Sequence, residues 1–522
     1  MRYHALLLTL GITLLATGAM AEPRVLHRSA AADPPSLDPN LGSGTLAAPI
    51  LSDLVEGLVT RDGQSRPMPG AASGWSTSED GLTWTFTLRE GLRWSDGVPL
   101  TAEDFVYSFR RLLNPETASP AAGLFLLIEN APAVFRGQAP VESLGVSAPD
   151  PLTLVLRLEH PAPWLTQLLA NTQAVPVPRH AIEQHGRDWT RAGRMVGNGP
   201  FRLAERVPQS HLRLVRNEYY REAAGVALDE VWWHPTQDLG TSFRRFRAGE
   251  LDVLLTVPAD QLGWIQQNLP DALHTGPIKA TWLLLLNPAR PPLDDPRVRE
   301  ALYLAVDREA LAYSVLRTGV RPAWTLVAPD FADYPEVAMP AGALTQEQRQ
   351  SRARELLAAA GYGPGRPLLL PVIYDTQEEN RQILVAVAAM WRAIGVQAEL
   401  TNLEFSALLR QTRTGDFTVA RSQAFALFDD PYAFLQQFRT SSPTNWMRYQ
   451  NPAYDALLEQ SNASDDPARR GELLAGAEAA LLADMPLIPV YHYVGKVLVS
   501  PRVQGWYNAP LGTTPSRWLS VR

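Results

Sequence analysis

Across residues 82–113 the apolar and polar positions fall into an order that predicts three elements in succession. Trp84, Phe86 and Leu88 alternate with Thr85 and Thr87, the period of two of a half-buried strand. Gly91 and then Ser95-Asp96-Gly97 supply turn residues, so a short second strand and a tight turn follow. Thr101 can N-cap a helix, with Asp104 at the reciprocal capping position and Glu103 favourable at the positive helix end. Phe105, Phe109, Leu112 and Leu113 then share one helical face while Arg110 and Arg111 point elsewhere, and Asn114-Pro115 closes the helix.

Further along, residues 152–158 and 212–214 alternate as strands. Glu56-Gly57 reads as a helix end with a glycine cap, and Gly197-Asn198-Gly199-Pro200 as a sharp turn whose glycines permit positive φ. From about Leu283 longer helices alternate with strands. Asp295-Pro296 starts a helix with proline at its first position, and Thr345 to Gln348 form a capping box for a helix that stops at Gly361. A strand over 368–374, an amphipathic helix over 378–394 closed by Gly395, and a strand over 396–400 make a βαβ unit, so this half is an α/β lobe. A last strand is expected over 491–499.

Length changes the picture first: 522 residues exceed one compact core, and two or three domains follow. An apolar fraction of 46% fits a globular chain and excludes a disordered one. Net charge is -7 without any basic block, which argues against a nucleic-acid partner. Lys279 and Lys496 are the only lysines among 47 cationic side chains, a bias read as compositional. Arg2, the apolar run 5–16 and Ala19-Met20-Ala21 have the layout of a secretory signal peptide, too short for a membrane span. With no cysteine the chain has neither disulfides nor a lipid-modified cysteine, so a non-lipidated periplasmic protein is expected.

The sequence offers no catalytic set. No His-Glu-x-x-His occurs, and His180 and His185 are five apart, poor spacing for two metal ligands on one helix face. Gly70 to Gly74 does not fit a nucleophile elbow, and the glycine-rich 361–365 follows a helix rather than a strand, so it terminates the helix and cradles no phosphate. Asp429-Asp430 before Pro431 reads as a solvated turn in preference to half of a glycosidase pair. No metal or other cofactor is implied. Fourteen tryptophans give flat apolar surface for a ligand.

The ordered run Glu79-Asp80-Gly81-Leu82, Leu88-Arg89, Trp94-Ser95-Asp96-Gly97 and Thr101-Ala102-Glu103-Asp104-Phe105-Val106-Tyr107-Ser108 closely resembles the signature of extracytoplasmic solute-binding proteins of peptide ABC transporters. The match is to the oligopeptide-binding type, solute-binding family 5. Ser36-Leu37-Asp38-Pro39, Asp53 to Leu58, the proline-rich 161–178, Gly197 to Phe201 and Phe246 to Asp252 extend the resemblance over nearly the whole mature chain. It implies an α/β, two-lobed periplasmic-binding fold with an extra smaller α/β subdomain and a hinge between lobes. The expected layout is a signal peptide over 1–21, a discontinuous lobe I from 22–60, 180–278 and 492–522, an additional subdomain over 61–179, and lobe II over 279–491.

The resemblance also implies a ligand cleft built largely from 419–431. Family members with peptide ligands carry Arg-x-Gly-Trp-x-x-Asp there, the aspartate pairing with the peptide's amino group and the arginine meeting its carboxylate. Arg421 fits, whereas Gln423-Ala424 replaces Gly-Trp and Leu427 stands in the aspartate's place; Asp429 or Asp430 are candidate substitutes. Ala121 occupies the place of a ligand-facing tyrosine, and Asn380 that of a histidine used for some peptide C-termini. The candidate ligand-binding set is therefore Arg421, Gln423, Phe425, Leu427, Asp429, Ala121, Asn380 and Trp446. The implied partners are a small peptide-like ligand and an inner-membrane ABC permease, with a monomeric, non-membrane-inserted and non-enzymatic protein. A non-peptide solute on the same scaffold, a secreted hydrolase, and a periplasmic sensor or chaperone are the alternatives. Cleavage after Ala21 gives a mature chain starting at Glu22. An intact mass that begins at Met1 in protein recovered from the periplasm contradicts it.

Overall fold

The computed structural model describes residues 22–42, 44–512 and 514–522; the expected signal peptide lies outside them. One large mixed sheet organises the chain. In spatial order its strands are Val396–Leu403, Leu368–Asp375, Val419–Phe425, Leu273–Leu286, Leu487–Val499, Val253–Leu254, Val25–Ala30, Glu230–Pro235, His211–Arg216 and Phe201–Val207. The two central strands are 14 and 13 residues long and antiparallel. Each belongs to both halves of the molecule. Residues 280–286 of the first carry the strand Val419–Phe425, while the far end of the second, at Leu498 and Val499, pairs with Val253–Leu254. Their mutual pairing breaks register between Pro277 and Thr281. Two lobes are thus joined by two strands that lose their ladder between them.

The second lobe shows why residues 283–286 are continuously apolar. Trp282, Leu284 and Leu286 point into a core under the helices Pro296–Ala305, Gln346–Ala359 and Glu378–Arg392, whereas Leu283 and Leu285 enter a different core on the opposite face. A strand covered on both sides has no polar face to show. The expected βαβ unit is present: Leu368–Asp375 and Val396–Leu403 run parallel around the helix Glu378–Arg392. The capping box at Thr345 and Gln348 forms, and Asp295 caps the helix that Pro296 opens.

The first lobe draws on widely separated segments, tied by buried charge. Glu56 accepts from Arg517 at 2.7 Å and from Arg221 at 2.7 Å, and Asp53 accepts from both the amide and hydroxyl of Ser516. Residues 72–77, 83–88, 146–150 and 153–157 form a separate four-stranded antiparallel sheet. Helix Ala102–Leu113 covers it, placing Phe105, Phe109, Leu112 and Leu113 in one core with Phe86 and Leu156. Arg111, on its outer side, pairs with Asp38 at 2.6 Å. The expected second strand after Gly91 is only a single bridge between Arg93 and Pro99, because the turn leaves too few residues for a ladder.

Two glycine readings are corrected. Neither Gly57 nor Gly197 nor Gly199 has positive φ. At 197–199 glycine is required by proximity instead: a Cβ on Gly197 would sit 2.2 Å from Leu54 O, and one on Gly199 2.4 Å from Leu54 C. Asn198 locks this close approach, accepting from Glu56 N at 2.9 Å and donating to Glu56 O at 2.7 Å.

In the second lobe Glu478 is 1% exposed on the helix Pro467–Asp484. It accepts from Val327 N at 2.7 Å and Tyr334 Oη at 2.6 Å, fastening the 326–334 loop. Burial pushes its carboxyl up to about 7, against the opposing effect of those hydrogen bonds. A folded pKa above the unfolded one means the native state holds the proton longer, so stability falls as pH rises from about 4.5 to about 7. The loss is about 3 kcal/mol. Glu478→Gln is expected to flatten that slope in urea unfolding followed from pH 5 to 8. An unchanged slope contradicts the assignment.

Candidate ligand-binding site

Where the register breaks, the lobes open onto a cavity of about 850 Å³. One wall is the helix Leu239–Arg247, through Phe243, Arg244 and Arg247, with the loop at Pro258 to Gln261. The other is Leu316, Thr318, Glu378, Glu379 and Gln382. A smaller pocket of about 130 Å³ adjoins it, sharing Ala259, Thr318 and Glu379, and ends on the crossing strand at Tyr493, Val494 and Lys496.

Behind Tyr493, which lines the smaller pocket, one face of the second-lobe sheet carries a row of polar and aromatic side chains. Arg421, Gln423 and Phe425 alternate along Val419–Phe425, and Trp282, Tyr491 and Tyr493 lie beside them on the crossing strands. Trp282 stacks on Tyr491 at 6.0 Å, Tyr491 meets Tyr493 edge-on at 5.1 Å, and Tyr493 stacks on Phe425 at 6.1 Å. A polar chain runs alongside. Trp282 Nε1 donates to Asn380 Oδ1 at 2.8 Å, and Asn380 Nδ2 donates to Asp375 at 2.7 Å. Arg421 donates to Asp375 at 3.1 Å and Gln423 Oε1 at 3.0 Å, and Tyr493 Oη also donates to Gln423.

Arg421 therefore has a partner inside its own lobe. The arginine side chain is 6% exposed and the Asp375 side chain 1%, so both charges are desolvated and committed to each other. Asn380, 2% exposed, is a strut of the same chain. Gln423 is half-buried, Phe425 and Leu427 are 37% and 49% exposed, and none of the three lines either cavity.

The acidic pair after Leu427 divides. Asp430 is no solvated turn: it is 8% exposed, receives both arms of Arg470 at 2.7 and 2.9 Å, and caps Tyr432 N. The Asp429 side chain is 20% exposed, 3.9 Å from Lys279 Nζ and within electrostatic reach of Arg61, with Oδ1 lacking a hydrogen bond. Burial pushes its carboxyl up, and the two cations oppose that. Ala121 is 6% exposed in the core of the extra subdomain, and Trp446 lies against Gly415, at the other end of the strand from Phe425. Neither is brought to the cleft.

Sequence reasoning missed Tyr493, Glu379, Lys496 and the whole opposing wall at 239–261. Two signals were there: the acidic doublet Glu378-Glu379 opening a helix beside Asn380, and the rarity of lysine. Among the described residues no group of three or more His, Asp or Glu is placed to hold a metal ion, and no helix is long and apolar enough to cross a membrane.

Two α/β lobes hinged on a pair of shared strands around a solute-sized cleft define a two-lobed binding protein. Residues 66–446 match the model of bacterial extracellular solute-binding proteins, family 5, middle, and the chain belongs to this family. It is 35% identical over 506 residues to the periplasmic murein peptide-binding protein MppA of Escherichia coli, covering 96% of this chain and 94% of that one. It is 37% identical over 491 residues to the probable deoxycholate-binding periplasmic protein YgiS of Escherichia coli, covering 93% and 91%. Among solved structures, the Escherichia coli murein tripeptide binding protein MppA superposes with TM-score 0.84 at 35% identity, covering 96% and 99%. Haemophilus influenzae OppA in complex with RPPGFSPFR superposes with TM-score 0.82 at 30% identity, covering 96% and 99%.

The Arg421–Asp375 pair yields a direct expectation. Arg421→Ala leaves a carboxylate buried without its cation and lowers unfolding free energy by about 3 to 5 kcal/mol. Adding Asp375→Asn restores part of it. Urea denaturation of the single and double variants measures this; unchanged stability with abolished ligand affinity assigns Arg421 to the ligand instead.

Proposed function

We propose that the protein is exported, with cleavage after Ala21, and captures a peptide-like solute between its lobes for delivery to an inner-membrane ABC importer. The lobes are taken as 22–60, 180–278 and 492–522 against 279–491, with 61–179 as the additional subdomain. The protein acts as a monomer and leaves its ligand chemically unchanged. The observation that carries this reading is the cleft of about 850 Å³ walled by both lobes beside a break in the strands that join them. A solute touching both walls stabilises the closed form by its differential affinity for that form.

The surface at Leu427, the position the family resemblance assigns to the ligand's amino group, favours a ligand without a free ammonium there. Leu427 is half exposed and apolar, Asp430 is held by Arg470, and Asp429 faces Lys279 and Arg61. An ammonium enclosed beside these residues meets only the Asp429 carboxylate, whose charge Lys279 and Arg61 already offset. Loss of one side of such a pair costs about 2 to 5 kcal/mol, or roughly 30- to several-thousand-fold in affinity. The exposed pair Phe425 and Leu427 also favours a second reading, an apolar non-peptide solute, for which the likeness to a probable deoxycholate-binding protein is a support.

Titration calorimetry with unmodified tri- to pentapeptides, their N-acetylated forms and deoxycholate separates these readings. Weak or no binding of the free-amino peptides is expected, with micromolar or tighter binding of blocked ones. Deoxycholate binding alone establishes the second reading. Micromolar binding of free-amino peptides that N-acetylation abolishes would falsify the account of Leu427.

A further inference from the structure

Of 47 cationic side chains only two are lysines, and both fall on the two crossing strands: Lys279 on Leu273–Leu286 and Lys496 on Leu487–Val499. Lys279 has an architectural explanation. Its ammonium donates to the carbonyls of Pro329 at 3.2 Å and Asp330 at 2.5 Å and lies 3.7 Å from the Phe331 ring centroid, stapling a second-lobe loop to the strand.

Lys496 has none. Its Nζ makes one hydrogen bond, to Val494 O of its own strand at 3.0 Å. An ammonium has three N–H donors, so two are left for other partners. Val257, Leu262 and Val320 line the same small pocket beside Thr318 and Tyr493, and burial draws the amine below its ordinary range while Glu379 opposes that shift. Glu379 lines the pocket too. Its Oε1 accepts from Tyr491 Oη at 2.8 Å, which fixes the carboxylate, and its Oε2 accepts no hydrogen bond among the described residues.

A cation and an anion thus flank one pocket of about 130 Å³, each with unused hydrogen-bonding capacity and more than 4.0 Å apart, since no ion pair joins them. A ligand bearing only a carboxylate meets Lys496 and is repelled by Glu379; one bearing only an ammonium meets the reverse. A group carrying both charges satisfies both. The volume is that of about four waters in the liquid, enough for an ammonium, a carboxylate and the carbon they share. Lysine suits the position as a compact point charge; the larger planar guanidinium used elsewhere in the chain needs more room.

We infer that this pocket is a subsite for a zwitterionic α-amino-acid head group, its carboxylate on Lys496 and its ammonium on Glu379. The inference rests on the proposed capture of a peptide-like solute and names the end of the ligand that enters first. A linear peptide separates its two charges, so the fitting class is a ligand in which an acyl link through a side chain leaves both groups on one terminal carbon.

The test uses two isomers of equal composition and net charge, γ-L-glutamyl-L-phenylalaninamide and α-L-glutamyl-L-phenylalaninamide. Only the first carries ammonium and carboxylate on one carbon. Calorimetry on the full mature protein is expected to show the γ isomer binding at least tenfold more tightly, and Lys496→Gln and Glu379→Gln each to remove that preference. Equal affinities in the unaltered protein, or a preference that survives Lys496→Gln, overturn the subsite. Binding of neither isomer while N-acetylated peptides bind overturns the subsite and leaves peptide capture standing. Binding of no peptide of any kind overturns both.

Discussion

Two antiparallel strands, Leu273–Leu286 and Leu487–Val499, are members of both lobes at once, and the mobility of the molecule depends on what their pairing permits. A continuous ladder resists bending across its hydrogen bonds. Here the ladder is intact from Leu273 to Pro277, breaks register before Thr281, shifts again between Trp282 and Leu283, and runs on to Leu285. The residues of that gap are held from the sides: Ala426 N donates to Lys279 O, and Lys279 N to Pro510 O. A hinge so built concentrates dihedral change in a few residues while each lobe moves as a body. The smaller pocket ends on the crossing strand beside the gap and the cavity it adjoins has walls from both lobes, so a ligand that fills them acts on the angle between the lobes.

Two kinds of charged side chain differ in what they already hold. Glu56 with Arg221 and Arg517, Asp430 with Arg470, and Asp375 with Arg421 are paired at hydrogen-bond distance and hold segments distant in sequence together. Removing one member of such a pair is costly because the other stays behind in a weakly polar medium. Glu379 and Lys496 differ: each has one short contact within its own lobe or strand and faces open cavity. Charges with spare capacity beside a cleft are the ones a solute can use, whereas those already paired fix the shape of the cleft.

This division explains how far the site was legible in the sequence. The helix over 102–113, its Thr101–Asp104 cap and the capping box at Thr345 were readable because the interacting groups lie within four residues of each other. The βαβ unit followed from periodicity for the same reason. Gly197 and Gly199 were visible as glycines, but their cause was not, since it is the backbone of Leu54 more than 140 positions earlier that leaves no room for a side chain. Arg421 stood out by its place in a motif, yet its partner, Asp375, sits on a different strand 46 positions away. Asp429-Asp430 before a proline had the local look of a solvated turn, and only the fold brings Arg470 and Lys279 to it. The wall at 239–261 overlapped the family-like stretch Phe246 to Asp252, but nothing local marked it as a wall, because a cleft wall is defined by what stands opposite.

The central claim is that the lobes close about the crossing strands when solute binds. The chain has no cysteine, so a spin label can be placed on each wall of the cleft without background, at Arg244→Cys and Gln382→Cys. Pulsed electron–electron distance measurement on the doubly labelled protein, without ligand and with a saturating ligand identified by calorimetry, reads the separation directly. A shift on binding to a shorter and narrower distance distribution is the predicted result. One distribution, unchanged by saturating ligand, contradicts hinge closure as the mechanism of capture.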